Sequence, residues 1–160
     1  MRAPAKPSWC SVRTEGCSQS GGGYGKIKLW DVEDEREIAV LEGHIYAVYS
    51  LAFDPNGGTL ASGGMDGTVR LWDLKERKEV ATFRGHLYGA YSVAFGPEGR
   101  LLAAGSGDGV VHLWDVGRLE EISSLKGHAD HVFSVVFGPD GRVFASGGED
   151  GTVVLWDVRR

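Results

Sequence analysis

Residues 43–73 read GHIYAVYSLAFDPNGGTLASGGMDGTVRLWD, and the reading of this stretch decides the fold. It opens on Gly43-His44 and closes on Trp72-Asp73. It recurs as Gly85-His86 to Trp114-Asp115 and as Gly127-His128 to Trp156-Asp157, each copy 42 residues after the last with no insertion. Trp30-Asp31 stands one period earlier, so part of a preceding copy is present. A fixed period of this length is read before any local signal, because it sets the architecture.

Each copy carries the marks of four short strands. Lys26 to Trp30 alternates polar and apolar residues, the period of a strand, and Thr68 to Trp72, Val110 to Trp114 and Thr152 to Trp156 do so less cleanly. Polar loops follow, then a short outer strand at Ile38 to Leu41, Val80 to Phe83 and Ile122 to Leu125. After Gly-His come Val48 to Phe53, Ala90 to Phe95 and Val132 to Phe137. These are nearly continuous apolar runs, expected to be buried on both faces. Asp54-Pro55-Asn56-Gly57 and its two repeats fit a type I turn, with Pro presetting φ and Gly at the exit. Thr59 to Gly63, Leu101 to Gly105 and Val143 to Gly147 follow as strands. Asp66-Gly67, Asp108-Gly109 and Asp150-Gly151 then mark hairpins.

Gly-His near the start and Trp-Asp at the end of a unit of about 40–45 residues resemble the WD-repeat family. The resemblance covers residues 20 to 160. It implies an all-β fold, a partial β-propeller of four-stranded antiparallel blades. The expected division is an irregular segment, 1–19, disordered or a frameshifted remnant of a repeat; a partial repeat, 20–42, holding the third and outer strands; full repeats 43–84 and 85–126; and a last repeat, 127–160, without its outer strand.

Each full repeat brings His, Ser, Asp and Trp within one unit, a set that invites a hydrolase reading. It recurs per blade, which catalysis does not need, and triads are defined by geometry rather than residue type. The resemblance implies instead a buried hydrogen-bond network that ties the strands of a blade. Its members are His44, Ser62, Asp66 and Trp72; His86, Asp108 and Trp114; and His128, Ser146, Asp150 and Trp156. The second set has Ala104 where the serine belongs, so one hydrogen bond is expected to be lost. The partial repeat keeps Ser20 and Trp30 but has Tyr24 and Arg2 at the Asp and His positions. No catalytic residue is expected. His128-x2-His131 is at most half a metal site, so no metal and no cofactor are expected.

The family resemblance places partner docking on the face that carries the turns around the His and the Asp. Carried onto this chain, its candidates are Tyr46, Tyr49, Met65, Tyr88, Tyr91, His131, Phe133 and Glu149, with Ala47, Gly89 and Gly107 at the remaining positions. Tyr49, Tyr91 and Phe133 recur at one position, and aromatic residues are enriched at interface hot spots. The same aromatics could equally pack between blades.

The composition excludes several classes. The net charge is −5 with both signs mixed, so no nucleic acid is expected as partner. No run of 18 apolar residues suggests a membrane partner. Cys10 and Cys17 have no second half for a zinc site. Arg2 and Lys6 are followed by no apolar signal region, and a cytoplasmic location is expected. Residues 11–19 match no repeat in this frame. With suitable codons, a one-base shift turns them into Phe-Ser-Pro-Asp-Gly-Arg-Leu-Leu-Ala, whose proline falls one period before Pro55 and whose glycine falls before Gly57. The leading expectation is a non-catalytic scaffold for protein partners or for self-assembly. The alternative is a truncated C-terminal propeller fragment of a larger regulatory or signalling protein with an enzymatic module upstream. Three blades' worth of strands cannot close a ring of roughly 4 to 8 blades, so association through open blade edges is expected.

Overall fold

The computed structural model describes the backbone of residues 10–14 and, in full, residues 25–31 and 34–159. Every regular element among them is a strand. In order these are β1 (Cys10–Thr14), β2 (Ile27–Asp31), β3 (Arg36–Leu41), β4 (Val48–Phe53), β5 (Thr59–Gly64), β6 (Thr68–Asp73), β7 (Lys78–Arg84), β8 (Ala90–Phe95), β9 (Leu101–Ser106), β10 (Val110–Asp115), β11 (Glu120–Lys126), β12 (Val132–Phe137), β13 (Val143–Gly148) and β14 (Val153–Asp157).

They form four antiparallel sheets in chain order: β1-β2-β3, β4-β5-β6-β7, β8-β9-β10-β11 and β12-β13-β14. From β2 onwards short turns dictate this within each sheet, because strands joined by three to five residues pair with their sequence neighbours. In the first turn of each full blade the N–H of Gly57, Gly99 or Gly141 donates to the carbonyl of Asp54, Gly96 or Gly138 at 2.8–3.0 Å. These glycines sit at φ of 70 to 78°, a left-handed conformation that costs a glycine little.

The sheets stack face to face as blades and do not close a ring. Ile27, Leu29 and Leu41 of the first sheet pack with Leu60 and Trp72 of the second. Val69 and Leu71 meet Ala90, Val93 and Leu102 of the third. Val111 and Leu113 meet Val132, Val135 and Phe144 of the fourth. One polar link repeats with the period: Ser50 Oγ accepts from Val93 N–H, and Ser92 Oγ from Val135 N–H, both at 3.1 Å.

The first strand of each full blade is less enclosed than its apolar sequence suggests. β4 has no fully buried residue, whereas β5 and β6 are almost wholly buried. Middle strands have partners on both edges and sheets on both faces; β4 is a sheet edge. Within the segment read as irregular, β1 pairs with β2, but out of step with the repeats. Asp73 faces Thr59, so the period would put Cys17 opposite Asp31; Cys10 stands there, seven residues early.

Candidate functional site

In the second sheet the sequence set becomes a bonded chain. Trp72 Nε1–H donates to Ser62 Oγ at 2.8 Å, and Ser62 Oγ lies 2.7 Å from His44 Nε2. His44 Nδ1 lies 3.0 Å from Asp66 Oδ2. One tautomer satisfies every atom: His44 carries its proton on Nδ1, donates it to the carboxylate, and accepts from the serine hydroxyl. Asp66 also accepts from the Thr68 hydroxyl at 2.7 Å and from the N–H groups of Thr68 and Ile45 at 3.1 Å. Burial pushes the Asp66 carboxyl up. The bonds from His44, Thr68 and Ile45 outweigh it and hold the group well below the usual carboxylate range. The fourth sheet repeats the geometry with His128, Ser146, Asp150, Trp156 and Thr152.

This geometry suits structure better than nucleophilic attack. Ser62 and Ser146 are buried, and each hydroxyl is committed to both an indole and an imidazole. The network also joins the two middle strands of the blade to the turn between them and to the turn before its first strand, which explains why it recurs per blade.

The third sheet departs further than one lost bond. Neither ring nitrogen of the buried His86 has a hydrogen-bond partner among the described residues. Asp108 accepts from Val110 N–H instead of from the histidine. The cause is a second change. Gly64 and Gly148 hug the His–Asp pair: a Cβ on Gly64 would lie 2.6 Å from His44 Nδ1, and one on Gly148 2.5 Å from His128 Nδ1. Ser106 occupies the same position in the third sheet, so its Cβ stands where the imidazole would sit. A third change, Val110 for Thr68 and Thr152, removes the hydroxyl that braces the carboxylate. His86 packs instead against His112 and Trp114, with ring centroids at 4.5 and 5.2 Å. Burial, and then the neighbouring His112, push its pKa down to about 3. The threonine was missed in sequence; its recurrence after Asp-Gly at residues 68 and 152, and not at 110, was the available signal.

The turn face is built by a recurring irregularity. Val48 pairs with Gly64 and Ser50 with Gly63, so Tyr49 is the extra residue of a β-bulge; Tyr91 and Phe133 hold the same place. A bulge breaks the two-residue alternation and re-aims a side chain. The three rings therefore meet across blades: Tyr49 stacks on Tyr91 at 5.0 Å, and Tyr91 meets Phe133 edge-on at 5.4 Å. Tyr49 and Phe133 stay exposed and Tyr91 is half-buried, so the rings both pack together and face out. Tyr46, Met65, Tyr88 and Glu149 are exposed and His131 is half-buried. Ala47, expected among the exposed positions, is buried; its carbonyl accepts from Met65 N–H at 2.8 Å and ties the two turns. Trp30 belongs to β2, whereas Arg2, Ser20 and Tyr24 lie outside the described residues.

No curated protein sequence matches the chain. The family model for the WD domain, G-beta repeat, matches three times, over residues 35–73, 77–115 and 119–157. Each matched unit runs from an outer strand, through the Gly-His turn, to the Trp-Asp of the next sheet. Together the three units span more than half of the chain, and on that ground the protein belongs to the WD-repeat family.

Proposed function

We propose that the protein is a non-catalytic scaffold that works by binding other proteins and by associating with itself through its open blade edge. WD repeats generally mediate protein–protein interaction or scaffolding, and proteins built from them are typically not enzymes. The observation that carries the self-association is the outer face of the fourth sheet. Val153 and Leu155 are 73% and 71% exposed, while their counterparts Val69, Leu71, Val111 and Leu113 are at most 5% exposed beneath the next blade. Ser134 repeats Ser50 and Ser92, which each bond the following blade, and is exposed. No fourth strand pairs with β14 among the described residues. An uncovered face that twice seats a blade, beside an unpaired strand edge, favours association. Covering Val153 and Leu155 would stabilise a complex by about 2–3 kcal/mol each.

Sedimentation tests this. The chain is expected to run well above its 17.2 kDa monomer mass, and Val153→Glu with Leu155→Glu to return it towards that mass. A wild-type chain that stays a single 17.2 kDa species would sink the reading. The partner face is proposed to be the turn face with Tyr46, Tyr49, Met65, Tyr88, Tyr91, His131, Phe133 and Glu149. No helix among the described residues is long and apolar enough to cross a membrane, and the cytoplasm is the proposed compartment.

The out-of-step register of β1 favours a second reading, in which residues 1–19 derive from a repeat read in another frame and the chain is the end of a longer regulatory protein. Resequencing across the first thirty codons and upstream separates the two.

A further inference from the structure

We propose that Asp130, His131 and Glu149 form a site for a divalent transition-metal ion of the zinc class at the turn face of the fourth sheet. The three side chains come from two turns that are distant in sequence. His131 Nδ1 lies 2.6 Å from Asp130 Oδ1 and 3.6 Å from Glu149 Oε2, and one donor atom from each residue lies within 4.8 Å of the others. These separations bracket the edge of a tetrahedron with metal–ligand bonds of about 2.0–2.2 Å, which is roughly 3.3 Å. One imidazole with two carboxylates is a donor set that borderline ions accept.

The other blades act as internal controls. In each, the same backbone bond ties the two turns: Met65 N–H to Ala47 O, Gly107 N–H to Gly89 O and Glu149 N–H to His131 O, at 2.8–2.9 Å. The frame is therefore a requirement of the fold, and the side chains on it are not. At the three positions the second sheet carries Tyr46, Ala47 and Met65, and the third Tyr88, Gly89 and Gly107. Neither set contains a strong metal ligand. The fourth sheet replaces all three at once, and all three replacements are ligands that converge on one point. The backbone bond fixes the distance between the turns, and Asp130 Oδ1 is further held by the His131 N–H at 2.8 Å. Such a site has three protein ligands and leaves a coordination position to water. The site does not depend on the turn face being a docking surface or on self-association.

The test uses the full chain with Cys10→Ser and Cys17→Ser, so that the two thiols do not compete for zinc. Titration with zinc chloride, followed by calorimetry, is expected to show one ion per chain with a micromolar Kd. In histidine-observed NMR, His131 alone among the five histidines is expected to shift. His131→Gly with Glu149→Gly installs the residues that the third sheet already tolerates and should weaken binding by about a hundredfold, judged by the loss of two of three ligands. Should that variant misfold, the NMR assignment in the parent decides by itself. Absence of binding, a shift at another histidine, or binding that survives in the folded double variant would each overturn the proposal.

Discussion

The second and third sheets share one backbone plan and the same Gly-His, Pro-x-Gly, Asp-Gly and Trp-Asp marks, yet they solve their interiors differently. In the second, an imidazole, a hydroxyl, an indole and a carboxylate satisfy one another beneath the turns. In the third, the imidazole is equally buried and has no hydrogen-bond partner among the described residues, and aromatic packing replaces hydrogen bonding. Even the outer pair differs: Arg70 with Glu79 in one is His112 with Glu121 in the other, both at 2.7 Å. The lesson is that a blade needs its His-to-Trp shape more than its hydrogen bonds. The bonds add stability to a form that strand pairing and apolar stacking already specify.

Removing the histidine should separate the two sheets most sharply. His44→Leu leaves the Asp66 carboxylate and the Ser62 hydroxyl without their shared partner. The expected cost is about 3 kcal/mol, typical of breaking a buried charged hydrogen bond. His86→Leu removes an imidazole that already lacks partners. It should be neutral or stabilising, within about 1 kcal/mol, because a near-isosteric apolar group carries no desolvation penalty. Urea unfolding at one fixed protein concentration compares them. Equal losses would mean that the His86 nitrogens find partners in solution.

Rebuilding the network gives a smaller effect of opposite sign. Ala104→Ser, Ser106→Gly and Val110→Thr together copy the second sheet onto the third. Two or three new bonds at about 1 kcal/mol each, less the backbone cost of a glycine, should raise stability by about 2 kcal/mol. Ala104→Ser alone should gain less, since the Ser106 Cβ still keeps His86 from Asp108. If the single and triple variants are equally stable, Ser106 is not what holds the pair apart.

Much of this was legible in sequence, and the reason is periodicity. Gly-His, Pro-x-Gly, Asp-Gly and Trp-Asp each mark a turn or strand end, and at 42-residue spacing they identify every strand from β2 onwards. What escaped is what depends on contact. Ser106 reads as a mild exchange for glycine until Gly64 is seen pressed against His44. The bulge at Tyr49 is invisible in an apolar run, because alternation is broken by register and not by composition. Glu149 lies on a different turn from Asp130 and His131, and only the folded backbone brings it to them. β1 escaped because its residues follow no period; pairing with β2 alone gives it a place.

Acid supplies the finest probe of the comparison. His86 has its pKa pushed down to about 3, against about 6.5 in an unfolded chain. Above pH 6.5 it is neutral in both states and its titration does not affect stability. Below that, the unfolded chain takes up a proton that the folded chain refuses, so stability falls as pH falls, by up to about 1.4 kcal/mol per unit, until the folded histidine titrates near pH 3. Asp66 is depressed instead, so its contribution is present above its ordinary value of 3.8 and is lost only below it. The two windows separate. Between pH 7 and 5.5 the His86 term should cost about 1.4 kcal/mol, and His86→Leu should remove that slope while leaving the steeper loss below pH 4. The groups facing His86 are His112 on β10 and Asp108 in the preceding turn, with Glu121 on β11 bonded to His112. Parallel curves for wild type and His86→Leu would show that one of these, Asp108 first, turns to accept the proton, and that the third sheet keeps a latent form of the second sheet's network.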